Sequence, residues 1–171
     1  PLPSGTESKL YSTFNGDNIG RDEVVYVGAN DGMLHAFALE DNPTTAHTDQ
    51  GEELWAWIPG YLLMRDKDEE WANSLIDLMW YGRTYLFDGS PVVEDVWIDA
   101  DHDNAKATDG SEWHRVVVVQ QGMGGPVTLA LDITDPQSPT YLWEQTNEVD
   151  TTAMGMTMTM PLDAIKRRWG R

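Results

Sequence analysis

Short runs of apolar and β-branched residues, separated by clusters that favour turns, set the pattern of this chain. Residues 1–23 are dense in Gly, Ser, Asn and Asp and read as a leading loop, with a short strand expected around Leu10–Phe14. Val24-Val25-Tyr26-Val27 then forms a β-branched and aromatic run, followed by Gly28-Ala29-Asn30-Asp31-Gly32 and by Met33–Leu39. Asn-Asp-Gly between two such runs predicts a hairpin, because Asn and Gly accept the positive φ of tight turns. A polar loop, Glu40–Gln50, leads to a third strand at Glu53–Ile58, closed by Pro59-Gly60. The three strands predict an antiparallel meander.

Leu62–Tyr81 has a different period. Trp71, Leu75, Leu78 and Met79 recur at helical spacing, and Asp66, Asp68, Glu69 and Glu70 suit a helix N-terminus by charge, so a helix is expected here. Short strands resume at Thr84–Phe87, Ser90–Val93 and Val96–Ile98. Arg115–Gln120, Val127–Ile133 and Tyr141–Glu144 are further strands, with a turn at Gly122–Pro126. Met154–Met160 alternates with period two and predicts a strand with one Met-bearing face, which reads as core filler rather than as a thioether copper site.

The β pattern occurs twice. Val24–Val27, a glycine-containing turn, His35–Ala38 and Leu54-Trp55 make one copy; Val116–Val119, Gly122–Gly125, Leu129–Asp132 and Leu142-Trp143 make the other. Repeated antiparallel units mark radial or solenoid β architectures, since one small sheet cannot bury both faces alone.

Composition narrows the function classes. The chain has 171 residues with 40% hydrophobic, enough for a sizeable core despite a mean hydropathy of -0.46. Its 29 acidic against 11 basic residues give a net charge of -18, which repels nucleic acid and anionic membranes and suits solubility, cation binding or a salty medium. With no Cys, disulfides, thiolate nucleophiles and Cys-based zinc sites are excluded. No run approaches the roughly 20 apolar residues of a membrane span. Pro1–Gly5 lacks the basic-then-apolar pattern of a signal peptide.

The sharpest constellation is Asp99-Ala100-Asp101-His102-Asp103-Asn104, followed by Asp109 and Glu112. Asp at alternate positions presents oxygens to a calcium ion as the chain curls around it, so Asp99, Asp101, Asp103 and Asp109 form a candidate metal site. The twelfth position is Gly110, so the bidentate Glu of a complete EF-hand loop is missing; the same residues also read as a solvated acidic hairpin tip. His35, His47, His102 and His114 have no metal-binding spacing, and His35 reads as a packed or hydrogen-bonded core group of its strand. No Gly-x-Ser-x-Gly elbow, phosphate loop or Rossmann glycine pattern is present, and no catalytic residue is assigned.

"VYVGANDGMLHAF" (Val25–Phe37) followed by "GEELWAWIP" (Gly51–Pro59) resembles a blade of the quinoprotein-type β-propeller. With "FDGSPVVEDVWI" (Phe87–Ile98), "EWHRVVVV" (Glu112–Val119), "LALDITDP" (Leu129–Pro136) and "LWE" (Leu142–Glu144) in order, the chain is similar to the C-terminal propeller of the PilY-type proteins. These are type IV pilus biogenesis factors and tip adhesins. The resemblance covers about residues 20–160 and implies a mainly β, incomplete propeller of antiparallel blades with one inserted helix. On this reading residues 24–60 are part of a first blade, 61–83 the inserted helix, 84–146 a second blade, and 147–171 the start of a third. It departs from the pattern at Ala38, where the family usually has Asp, and in the lengthened turn at Asn42–Gln50.

The resemblance implies a non-enzymatic role in pilus assembly or attachment, tuned by Ca2+, with minor pilins, pilus tip components, and a host or abiotic surface as partners. It implies a cell-envelope or extracellular, pilus-associated (fimbrium) location. The family's Asp-rich calcium loop normally lies in a later blade, so any such ion would use the Asp99–Asp103 loop or lie in sequence outside this chain. The first blade is shared with pyrroloquinoline quinone-dependent dehydrogenases, the alternative reading, although the vicinal Cys pair often beside their quinone is impossible here. An outer-membrane assembly scaffold shares the blade but not the Asp-Gly-Ser-Pro region.

Overall fold

The computed structural model describes residues 6–41, 49–63, 75, 82, 85–99, 102–103, 106–107, 109–125 and 127–145, and the statements below concern those residues. Two antiparallel sheets make up the fold. The first is a three-stranded meander of β1 (Val24–Gly28), β2 (Leu34–Ala38) and β3 (Glu53–Trp57). The second is a four-stranded meander of β4 (Val92–Trp97), β5 (Trp113–Gln120), β6 (Thr128–Asp132) and β7 (Thr140–Gln145). Helix α1 (Thr6–Asp17) precedes β1, and a single turn, α2 (Gly60–Leu63), follows β3.

The β1–β2 hairpin forms where Asn-Asp-Gly predicts it. The Gly32 amide donates to the Ala29 carbonyl at 3.0 Å, and Gly32 sits at φ +94°, a conformation that Gly adopts without steric cost. A Cβ there would also press on Leu75, Leu62 and Leu86. The main core lies between the sheets. Leu34 of the first sheet meets Val117, Val119, Leu129 and Leu131 of the second, with Phe87 and Ile133 fully enclosed and Tyr26, Trp55 and Trp57 packed at the side. A smaller cluster of Val96, Val116, Val118 and Ala130 occupies the opposite face of the second sheet. Trp55 donates its indole N–H to the Pro136 carbonyl at 2.8 Å, and Trp57 stacks on Tyr141, so both tryptophans tie the sheets together.

Three expectations are corrected. The leading loop with its strand at Leu10–Phe14 is a helix over Thr6–Asp17, held by contacts made through Tyr11 and Phe14 rather than by strong propensity. The described part of the strand expected at Thr84–Phe87, residues 85–87, is not a strand: Leu86 and Phe87 are buried as a plug, and the Leu86 amide donates to the Asn30 side chain. Ser90–Val93 and Val96–Ile98 are one strand, Val92–Trp97, because Asp95 finds Arg115 directly opposite on β5 and the charged pair Glu94-Asp95 does not break the ladder. The helix expected over Leu62–Tyr81 lies largely, and the strand at Met154–Met160 entirely, outside the described residues.

The Asp-Gly-Ser-Pro segment has a packing reason. It crosses the end of β5: the Asp88 amide donates to the Gln121 carbonyl, and the Asp88 carboxylate accepts from the Met123 amide at 2.8 Å. Gly89 lies against the Gln120 backbone so closely that a Cβ would overlap the Gln120 carbonyl oxygen.

Candidate functional site

The acidic loop connects β4 to β5. His102 sits at φ +61°, and the Asp103 amide donates to Asp99 Oδ1 at 3.2 Å. This bond draws Asp99 and Asp103 to one loop. Asp101 lies outside the described residues. Asp109 is exposed and accepts from the Ser111 amide at 3.0 Å; hydrogen bonds from Ser111 hold its carboxyl below the usual carboxylate range. Among the described residues no three His, Asp or Glu side chains converge as a metal cluster.

Glu112 has a different task. It is buried, and its Oε2 accepts both the Trp97 indole N–H at 2.9 Å and the Ala107 amide at 2.6 Å. Those bonds fasten the loop to its supporting strands. Lys106 adds a second fastening, with its ammonium 5.2 Å from the rings of both Trp97 and Trp113. Glu112 Oε2 is thus already engaged by two donors.

Two further polar centres were not legible from spacing alone. Asp95 on β4 receives a two-pronged contact from Arg115, Nε at 2.7 Å and Nη2 at 3.0 Å, and the Tyr11 hydroxyl donates to it at 2.8 Å. Burial alone would raise the Asp95 pKa, but Arg115 and Tyr11 outweigh it and hold the carboxyl below its ordinary value. Burial pushes the neighbouring Tyr26 phenol up to about 12. His35 lies between Glu53, 2.5 Å from Nδ1, and Asp31, 2.9 Å from Nε2. Ionised carboxylates only accept, so satisfying both contacts requires a doubly protonated ring. His35 is thus hydrogen-bonded, on the partly exposed face of β2 rather than in the core.

The comparisons agree with the antiparallel β fold. Residues 3–159 match the family model described as the PilY1 beta-propeller domain. A type IV pilus biogenesis factor PilY1 homolog of Xylella fastidiosa is 31% identical over 159 residues, 93% of this chain and 11% of that protein. The PilY1 pilus biogenesis factor of Pseudomonas aeruginosa strain UCBPP-PA14 is 32% identical over 161 residues, 93% of this chain and 11% of that protein. The crystal structure of the Pseudomonas aeruginosa PilY1 C-terminal domain aligns with a TM-score of 0.51 and 33% identity, over 82% of this chain and 22% of that one. The chain thus spans about a tenth of the length of these curated relatives. It belongs to the PilY1 beta-propeller family.

Proposed function

We propose that this chain forms part of the propeller of a type IV pilus biogenesis factor that works at the cell envelope and on the pilus, without catalysis of its own. The packed sheets act as a rigid platform, and the loops around them contact minor pilins and other pilus tip components, or a host or abiotic surface. The observation that carries this reading is identity of 31–32% along 93% of the chain to proteins described as type IV pilus biogenesis factors. The loop of Asp99, Asp101, Asp103 and Asp109 takes a calcium ion in this reading, which stiffens the tip of the β4–β5 connection and so tunes contacts made there.

Site-specific photo-crosslinking in piliated cells tests the platform role. A photo-reactive residue at Leu63 or Met123, both exposed, is placed in the full-length protein. Adducts with minor pilins are the expected result. If the protein reaches the envelope and yields no adduct with any pilus component, the reading fails.

A further inference from the structure

Two tryptophans bracket a cation where the acidic loop closes on its strands. Trp97 and Trp113 are direct cross-strand partners at the ends of β4 and β5. The Ile98 amide donates to the Glu112 carbonyl, so the next pair inward, Trp97 with Trp113, is a non-hydrogen-bonded one, the kind that brings side chains closest. Lys106, from the loop between these strands, places its ammonium 5.2 Å from the centroid of each ring. Both distances lie within the roughly 6 Å over which a ring face attracts a positive charge.

The walls of this slot are held independently of Lys106. Trp97 donates its indole N–H to Glu112 Oε2 at 2.9 Å, which orients the ring and keeps a carboxylate beside the slot. Tyr11 of α1 meets Trp113 edge-on, with centroids 5.0 Å apart and planes at 64°. The Trp113 indole N–H, by contrast, is buried with no hydrogen-bond partner among the described residues. Phe or Leu would avoid that cost, so what the indole contributes here is its face, the strongest among aromatic side chains toward a cation.

Lysine matches these walls poorly. Its ammonium is strongly hydrated and carries three N–H donors, whereas Glu112 Oε2 already takes two donors, from Trp97 and Ala107. A quaternary ammonium group has no donor to satisfy, and its methyl groups pack on ring faces. Trp97, Lys106 and Trp113 are each half-buried, so the slot is reachable from solvent. The net charge of -18 gathers cations toward it.

We propose that the Trp97–Trp113 slot is a binding site for a quaternary ammonium group, with Lys106 as its intramolecular occupant and competitor. An incoming trimethylammonium group takes the place of the Lys106 ammonium between the rings. The exchange releases one fastening of the β4–β5 loop and leaves the Ala107–Glu112 bond in place, so occupancy of the slot is coupled to the conformation of the loop. The site uses none of the Asp carboxylates, and the inference goes beyond the pilus role without resting on it.

Equilibrium dialysis of labelled choline against the full-length protein in calcium-free buffer tests it. The parent is expected to bind weakly, because a tethered Lys106 competes at high effective concentration, and Lys106→Ala to bind at least about five-fold tighter. Adding Trp113→Phe to Lys106→Ala keeps a ring against Tyr11 but weakens the face, and should cost about three-fold in affinity. Tetramethylammonium should displace the label, and the uncharged tert-butyl analogue of choline should not. Cosedimentation with phosphatidylcholine vesicles, abolished by free choline, identifies the group as a lipid headgroup; choline binding without cosedimentation identifies it as a free ion. No saturable binding to Lys106→Ala, equal affinity with and without Lys106, or equal displacement by the neutral analogue overturns the proposal. The expected change in Lys106→Ala is a gain of binding, which misfolding does not imitate.

Discussion

Ala36 and Ala130 hold the same position in their two sheets. Each is fully buried, each is paired with a tryptophan (Trp55 and Trp143), and in each strand the register shifts immediately after the alanine. A β-bulge placed identically in two copies bends both sheets at the same point and leaves a short side chain beneath the indole. Enlarging either alanine would force the tryptophan out of its place. Ala36→Leu and Ala130→Leu are each expected to destabilise the fold by about 1–3 kcal/mol, read as a lower urea midpoint with an unchanged slope.

Glycines divide sharply by surroundings. Gly89 touches the Gln120 backbone, whereas nothing lies within 4 Å of a Cβ built at Gly16 in α1. Gly89→Ala must separate the Asp88–Ser90 segment from β5 and is expected to lower the melting midpoint sharply. Gly16→Ala removes backbone entropy from the unfolded chain inside a helix and is expected to stabilise by about 0.5–1 kcal/mol. Circular dichroism melts of the two variants should shift in opposite directions.

The His35 clamp makes stability depend on pH. Burial alone lowers the His35 pKa, but the hydrogen bonds to Glu53 and Asp31 outweigh it, and the folded value is raised above the ordinary 6.5. A raised histidine pKa means that the folded state holds its proton more tightly, so its contribution is complete below pH 6.5 and fades as pH rises through the folded value. Stability measured by urea titration from pH 5.5 to 9 should fall over that window. In His35→Gln, the part of the slope due to this residue should vanish; an unchanged slope would show that the ring is not the group responsible.

The Tyr11–Asp95–Arg115 group joins α1 to the second sheet. Tyr11→Phe removes one charge-assisted hydrogen bond, and Asp95→Ala removes the acceptor shared by two donors. Expected losses are about 1.5 kcal/mol for Tyr11→Phe and about 1.5–3 kcal/mol for Asp95→Ala. The double variant should lose less than the sum, because both changes act on the same contact. Strict additivity in denaturant titrations would mean that Tyr11 and Asp95 act independently.

The sheets were legible because Val116–Val119 and Val24–Val27 are β-branched runs bounded by turn residues. What escaped was set by contacts distant in sequence. Ser12, Thr13, Asn15 and Gly16 disguise α1 as a loop, and the contacts of Tyr11 with Trp113 and Asp95, together with burial of Phe14, make the helix worthwhile. Glu94-Asp95 looked like a break in a strand because the opposing Arg115 is invisible until the register is known. In the acidic loop, alternating Asp residues were plain in the sequence. That Glu112 Oε2 is taken by Trp97 and Ala107 was not, since spacing says nothing about which oxygens are already in use.

That division of labour within the loop yields a calcium prediction. Without a bidentate Glu, the Asp99, Asp101, Asp103 and Asp109 carboxylates offer few protein oxygens, so affinity should fall on the order of 0.1–1 mM, the range of extracellular modules. Titration calorimetry with calcium chloride should give a saturable heat in the parent protein and none in the Asp101→Ala, Asp103→Ala double variant. Glu112→Gln retains an acceptor for Trp97 and Ala107, so the heat should persist in it. Equal heats from the parent and the double variant would remove calcium from this loop. Loss of the heat in Glu112→Gln alone would instead assign the ion to the Glu112 carboxylate and reverse the roles given to the two ends of the loop.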